Sequence, residues 1–235
     1  MKYLVLCFLF ISTAFSDEYY AKLEPVQTYV IKSSVSGKVI FSNNKIEGLS
    51  ANNSKIIELD SKVEKLELHQ VNKKISLIAK MLKIEDKNYE RLKKVRTKSE
   101  FDKDVQLLKS LNLQSAKSDL IIRKVVLKDI IQKKVLIESN RYIYNVNVKK
   151  DDYVTAGTVL YEVKDLSKGK LEIFVPINET KGLKNKTIFL NGNKTEIKID
   201  KIYKVAHLKH ISSYKVDIIV PNPKIFSRLV KIEFK

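Results

Sequence analysis

The spacing of apolar positions changes twice along this chain. From Tyr29 to Phe41 (YVIKSSVSGKVIF) and from Ser54 to Asp60 (SKIIELD), apolar residues alternate with polar ones or gather in short runs, which predicts strands. The period then lengthens. Val63, Leu66, Val71, Ile75, Ile78, Leu82, Tyr89, Leu92 and Val95 recur mostly in alternating steps of three and four, the mark of a coiled-coil seam with one phase slip between Leu66 and Val71. A second helical run follows, with Phe101, Val105, Leu108, Leu113, Ala116, Leu120, Leu127 and Ile130 on its apolar side. Period two returns in Tyr142–Val148, Tyr153–Lys164 and Lys170–Ile177. It continues through Thr187–Val205, SYKVDIIV and RLVKIEF, where Asn191-Gly192-Asn193 predicts a tight hairpin turn.

The helix breakers agree with this division. All six glycines and all four prolines lie outside the interval from Leu49 to Ala156, so nothing interrupts a helical reading of its middle. Ser61-Lys62-Val63-Glu64 and Thr97-Lys98-Ser99-Glu100 both have capping-box spacing, in which a hydroxyl accepts from the third helical amide and a glutamate reaches back. One helix is therefore expected to end near Val95 and another to begin near Lys98. So short a join forces reversal, giving an antiparallel hairpin with arms of roughly 50–55 Å.

At the N-terminus, Lys2 precedes an apolar run from Leu4 to Ile11 that ends in Ala14-Phe15-Ser16. This has the build of a secretory signal peptide cleaved before Asp17, and it is shorter than a membrane-spanning helix requires. Too little apolar sequence precedes Cys7 for a lipoprotein site. The only cysteine then leaves with the leader, and the mature chain has no disulfide. Net charge is +18, one less once Lys2 is removed. Such basicity raises nucleic acid and anionic lipid as partners, but the lysines are spread along the chain among Glu and Asp, which predicts a solvated surface and no nucleic-acid partner.

No residue constellation points to catalysis. G-x-S-x-G, H-E-x-x-H, C-x-x-C, Walker A and G-x-G-x-x-G are all missing from the sequence. His207 and His210 form an H-x-x-H pair without a third ligand in register, so no metal site is expected. Met81 is the one methionine of the mature chain, which excludes a methionine cluster for soft metals. No acidic-Lys-small turn of the kind that carries lipoate or biotin joins the β segments on either side of the helices, so no cofactor is expected.

A small β unit split in two around a coiled-coil hairpin resembles the periplasmic adaptor proteins of the HlyD type, the membrane fusion proteins of tripartite efflux systems. The first half offers Ser36-Gly37-Lys38-Val39 and Ile57-Glu58-Leu59-Asp60. The second offers Val146-Asn147-Val148, Asp151-Asp152-Tyr153-Val154, Ala156-Gly157-Thr158, Leu160 and Val163-Lys164-Asp165. The tail, with Val175-Pro176-Ile177, Val216 to Pro223 and Leu229 to Ile232, is similar to the family's β-barrel domain. Asn140 and Asp151 stand where the family usually has glycine. The first half lacks the second glycine turn, and the chain stops where many relatives continue into a membrane-proximal domain.

The resemblance implies an α+β, mainly β, fold. Residues 1–16 would be the signal peptide, 29–60 with 139–169 a lipoyl-like barrel-sandwich domain, 61–138 the α-helical hairpin and 170–235 a β-barrel domain. It implies a periplasmic adaptor joining an inner-membrane exporter, of RND or ABC type, to a TolC-like outer-membrane channel, as a homo-oligomeric ring in the assembled pump. In such adaptors an arginine, an apolar residue and a hydroxyl residue at the hairpin tip dock onto the channel; Arg91, Val95 and Thr97 resemble that set. Thr97 as a plain helix cap and Arg91 as a solvated face residue are the alternative. Three other classes stand beside the adaptor: an exported coiled-coil structural protein of the cell envelope, a nucleic-acid binder and a lipoyl-type carrier subunit.

Overall fold

The computed structural model describes residues 18–206 and 208–235. The expected signal peptide, with Cys7, and His207 lie outside the described residues. The chain is mixed, mainly β, with two long helices, and divides into two compact units. One is residues 29–163 and the other residues 18–28 with 164–235.

In the first unit, the strands β3 (Gly37–Ser42), β4 (Ser54–Leu59), β5 (Val135–Glu138) and β7 (Tyr153–Val154) form a sheet of order β5-β4-β3-β7. β6 (Tyr142–Val146) pairs with the start of β8 (Val159–Pro176). The two sequence halves are stitched directly. Gly37 is opposite Val154, Ile57 opposite Leu136, and Ser50 bridges Tyr142. Backbone bonds add Gly48 N–H to Ile143 O, Ala51 N–H to Arg141 O and Val39 N–H to Asp152 O. One core results, built from Val39, Ile56, Ile57 and Leu59 of the first half and Ile143, Val146, Leu160 and Val163 of the second. Tyr161, 1% exposed, donates to Glu138 Oε1 at 3.0 Å. Burial and the adjoining carboxylate raise its pKa far above the usual phenol value.

Asn140 and Asp151 have φ of 58° and 79°, in the left-handed region. Asn and Asp are the side chains that tolerate it best after glycine, which explains their presence at those two turns.

Between β4 and β5 rise α1 (Lys62–Lys93) and α2 (Glu100–Lys133), packed as an antiparallel hairpin. Their lengths correspond to roughly 50 Å each. The observed seam corrects the expected one. On α1 the positions turned inward are Glu64, Leu68, Val71, Ile75, Ile78, Leu82, Glu85, Tyr89 and Leu92, an unbroken alternation of four and three. The phase slip came from taking Val63 and Leu66, which are exposed, as seam positions: Leu68 holds the seam there, and Glu64 and Glu85 fill two of its positions. On α2, Leu113, Leu120 and Leu127 are inward as expected, but Phe101 and Leu108 face out, at 75% and 55% exposure. Gln106 and Ser110 take their places. The Gln106 amide donates to Glu85 and the Ser110 hydroxyl to Asp86.

Neither expected capping box forms as read. Ser61 is buried and makes no side-chain cap; Asp60 Oδ1 accepts from Lys62 N–H at 3.0 Å instead. Glu64 is drawn away by Lys134, whose Nζ also donates to Asp60 O, both at 2.6 Å. At α2 the cap is Ser99, accepting from Asp102 N–H at 3.1 Å, and Thr97 lies outside the helix. Residues 135–138, expected within the hairpin, are strand β5.

In the second unit, β1 (Glu18–Lys22), β9 (Ile188–Leu190), β10 (Asn193–Lys194) and β13 (Leu229–Phe234) form a sheet of order β1-β13-β9-β10. β11 (Ile199–Ile202), β12 (Ser213–Pro221), β8 and β2 (Glu24–Lys32) form another. Leu23, Leu171, Ile173, Val175, Val216, Ile218, Ile232 and Phe234 lead its core. Asn191 and Gly192, with φ of 49° and 81°, make the two-residue turn that the sequence predicts. Where two strands were expected across 153–164 and 170–177, β8 runs unbroken through Gly169, paired with β12 from Lys168 to Pro176.

Candidate functional site

The hairpin tip is the place where sequence and structure converge on a surface. α1 closes at Lys94, whose N–H bonds Arg91 O, and Val95 N–H bonds Leu92 O at 3.0 Å. These bonds tighten the last turn. A turn through Arg96, Thr97 and Lys98 reverses the chain, with Lys98 N–H on Val95 O at 3.4 Å. Ser99 then starts α2, and Glu100 and Asp102 place negative charge at its N-terminus, where the helix dipole favours it.

Arg91, in the last turn of α1, and Val95 and Thr97, in the reversal that follows, are all exposed. Among the described residues no hydrogen bond or ion pair joins their side chains to one another. Arg91 shares an α1 face with Lys87 and Lys94, spaced by four and three, and with Asp86 and Glu90 these line a shallow open recess. Between Lys87 and Lys98 stand six lysines or arginines against one acid, Glu90. Phe101, read from the sequence as a seam residue, instead adds an exposed ring at the start of α2. The signal that could have placed it outward is the Ser99-x-x-Asp102 cap, which fixes the helix phase, with Lys103, Gln106 and Ser110 as the inward row. The tip thus offers a cationic rim around two solvent-facing apolar groups. It can engage carboxylates or carbonyls and a small hydrophobic recess; it holds no group positioned for proton transfer or nucleophilic attack.

Elsewhere, no cluster of three or more His, Cys, Asp or Glu is arranged to hold a metal ion among the described residues. His210 stacks on Phe174, ring centroids 3.9 Å apart at 24°. No helix among them is long and apolar enough to cross a membrane.

No family model and no curated protein matches the sequence. Solved structures do match. A MacA–MexA chimera carrying the α-hairpin domain of Pseudomonas aeruginosa MexA superposes with a TM-score of 0.71 at 15% identity, over 94% of this chain and 81% of its own. A membrane fusion protein of Streptococcus pneumoniae R6 gives 0.70 at 11% identity, over 94% and 99%. MacA of Actinobacillus actinomycetemcomitans gives 0.60 at 14%, over 94% and 78%. At these identities the likeness is one of fold: the chain has the fold of the membrane fusion proteins.

Proposed function

We propose that the protein is a periplasmic adaptor of an efflux system. It would bridge an inner-membrane exporter, RND or ABC, to a TolC-like outer-membrane channel and act as a homo-oligomeric ring, without catalysis. On this reading residues 29–60 with 139–169, to which strand β5 adds 135–138, are the lipoyl-like barrel-sandwich domain, residues 170–235 are the β-barrel domain, and residues 1–16 are a cleaved leader. The observation that carries the reading is the hairpin itself. Its arms extend roughly 50 Å from a β unit whose core contains no residue of α1 or α2. Such length adds little to stability for its surface, so reach is the property it supplies.

Arg91, Val95 and Thr97 are assigned to docking at the tip, where the five donors of the Arg91 guanidinium would meet carbonyls or carboxylates of the channel. The test is pull-down of the channel and export of a toxic compound, each beside a melting curve. Arg91→Asp should leave the melting curve within about 0.5 kcal/mol of wild type and abolish pull-down, because a charge reversed at an interface turns attraction into repulsion. Ser99→Ala is the control: loss of the α2 cap should cost about 1 kcal/mol of stability and leave docking in place. Undiminished pull-down and export with Arg91→Asp would remove Arg91 from the docking site.

A further inference from the structure

We propose that the loop between β11 and β12 is a membrane-contact element that enters the headgroup region of an anionic bilayer. The loop is the end of a β-hairpin held firmly at its base. Ile202 is opposite Val216, and Tyr203 N–H donates to Lys215 O at 2.9 Å. The Tyr203 hydroxyl donates to Asp217 Oδ2 at 3.2 Å, and Lys215 Nζ sits 4.3 Å from the centre of its ring. On the other limb His210 stacks on Phe174, Ser213 N–H bonds His210 O and Ile177 N–H bonds Ser212 O.

Beyond those anchors the chain turns aliphatic side chains into solvent. Val205 and Ile211 are each 80% exposed, and Leu208, at 94%, is the most exposed large apolar residue of those described. Folding has left them out while burying Val216 and Ile218 of the adjoining strand completely. Exposed aliphatic groups grouped in one loop mark a partner or a membrane.

Charge decides which. From Lys201 to Val216 there are four lysines, at 201, 204, 209 and 215, and no acid. The acids around the loop are engaged. Glu172 takes Lys170 and Lys215 at 3.3 Å, Asp200 lies 3.9 Å from Lys201, Asp217 is buried under Tyr203, and Glu179 accepts from the Tyr19 hydroxyl. A lysine stem can lie along the acyl boundary with its ammonium among phosphates, and lysines near an anionic leaflet are each attracted to it. The geometry of the apolar groups agrees. At 80–94% exposure none of the three is covered by the others, so all remain open to an outside layer. Val205 and Leu208 border one shallow recess with Tyr203 and Lys215, while Ile211 stands apart from it on the other limb; a fluid acyl layer accepts all three without directional fit. This proposal does not depend on the adaptor reading.

The chain has no tryptophan, so Leu208→Trp installs a single reporter in the loop. Purified protein is mixed with vesicles of phosphatidylethanolamine and phosphatidylglycerol, and in parallel with phosphatidylcholine alone. With the anionic vesicles the Trp emission should shift to the blue and be quenched by brominated acyl chains; with phosphatidylcholine it should change little. Flotation of the otherwise wild-type chain should show the same preference. The triple variant Val205→Ser/Leu208→Ser/Ile211→Ser should melt like wild type and bind at least tenfold more weakly. Lys204→Gln and Lys209→Gln should each weaken binding about fivefold. Unshifted emission on bound vesicles, or equal binding by the triple variant, would show that the general positive charge alone drives association and would overturn the proposal. So would failure of the wild-type chain to bind anionic vesicles.

Discussion

Two glycines show how differently the same substitution acts at single positions. Gly157 has φ +91° and nothing within 4 Å of where a Cβ would stand, while Gly169 carries no such φ but a Cβ there would meet Leu23 Cδ1 at 2.6 Å and Pro223 Cγ at 3.1 Å. Gly157→Ala should cost about 1 kcal/mol by backbone strain alone, and Gly157→Asn should cost less. Gly169→Ala should cost about 2 kcal/mol by overpacking, since Leu23 is buried and has nowhere to go. In a Leu23→Ala background the Gly169→Ala penalty should fall to the smaller part due to Pro223, whereas the Gly157→Ala penalty should stay. Urea melts of the three single and two double alanine variants measure both; equal penalties in both backgrounds at Gly169 would refute the clash. The sequence marks the turn at Gly157, because Ala156-Gly157-Thr158 falls between alternating runs. Nothing in the sequence marks Gly169, which lies inside β8 and owes its identity to Leu23, in the link between β1 and β2, more than a hundred residues away.

Among the elements, the helices and their reversal were legible because periodicity and the breaker-free interval are local signals. Their facing was less so. Seam positions filled by Glu64, Glu85, Gln106 and Ser110 break an apolar count, and only the partner helix reveals that they are inward. At the tip Phe101 and Val95, both counted in the seam, are exposed, and Ser99 caps α2 where Thr97 was expected to; the exposure of Arg91 on the polar side of α1 was readable. The foot of the hairpin rests on one such polar pair. Lys134 is 5% exposed and links Asp60 O to Glu64. Burial works to raise the Glu64 pKa, but the Lys134 hydrogen bond and charge and the backbone outweigh it and hold the carboxyl below its ordinary 4.5. A depressed folded pKa gives stability that is present above the unfolded value and lost as pH falls through the folded one. Glu64→Gln should therefore cost about 1 kcal/mol at pH 7 and nothing in acid below both the folded and the unfolded pKa. Lys134→Met should cost about 2 kcal/mol at pH 7, less than for a fully buried pair because Glu64 still reaches water. Chemical denaturation at the two pH values checks the sign: a Glu64→Gln penalty that grows on acidification would contradict it.

At the scale of the whole molecule, the sequence places a β unit on either side of the hairpin, but the closing strand β1 at residues 18–22 went unread, because its short EYYAK run has no pattern apart from its partner β13. What the structure adds is that the β core of residues 29–163 is complete without the helices. Leu59 N–H bonds Lys134 O at 2.8 Å and Glu58 is opposite Val135, so the chain leaves for the hairpin and returns at adjacent points of one ladder. Every buried residue of that core lies in 39–59 or 143–163. Replacing residues 61–133 by Asn-Gly leaves Leu59 and Lys134 joined through three residues, a loop length that antiparallel strands accept. The excised protein should keep its β signal in circular dichroism and unfold in one cooperative transition. Its m-value should be smaller, because less surface is exposed on unfolding. The cut must spare residues 135–138, since β5 pairs along β4 and Leu136 packs on the core; extending the deletion through Glu138 also removes the carboxylate that receives Tyr161. That longer deletion should fail to fold cooperatively, and the difference between the two cuts locates the boundary between arm and base. A non-cooperative melt from the shorter deletion would mean that the helices contribute to the β core after all, and the hairpin could no longer be regarded as an appended arm.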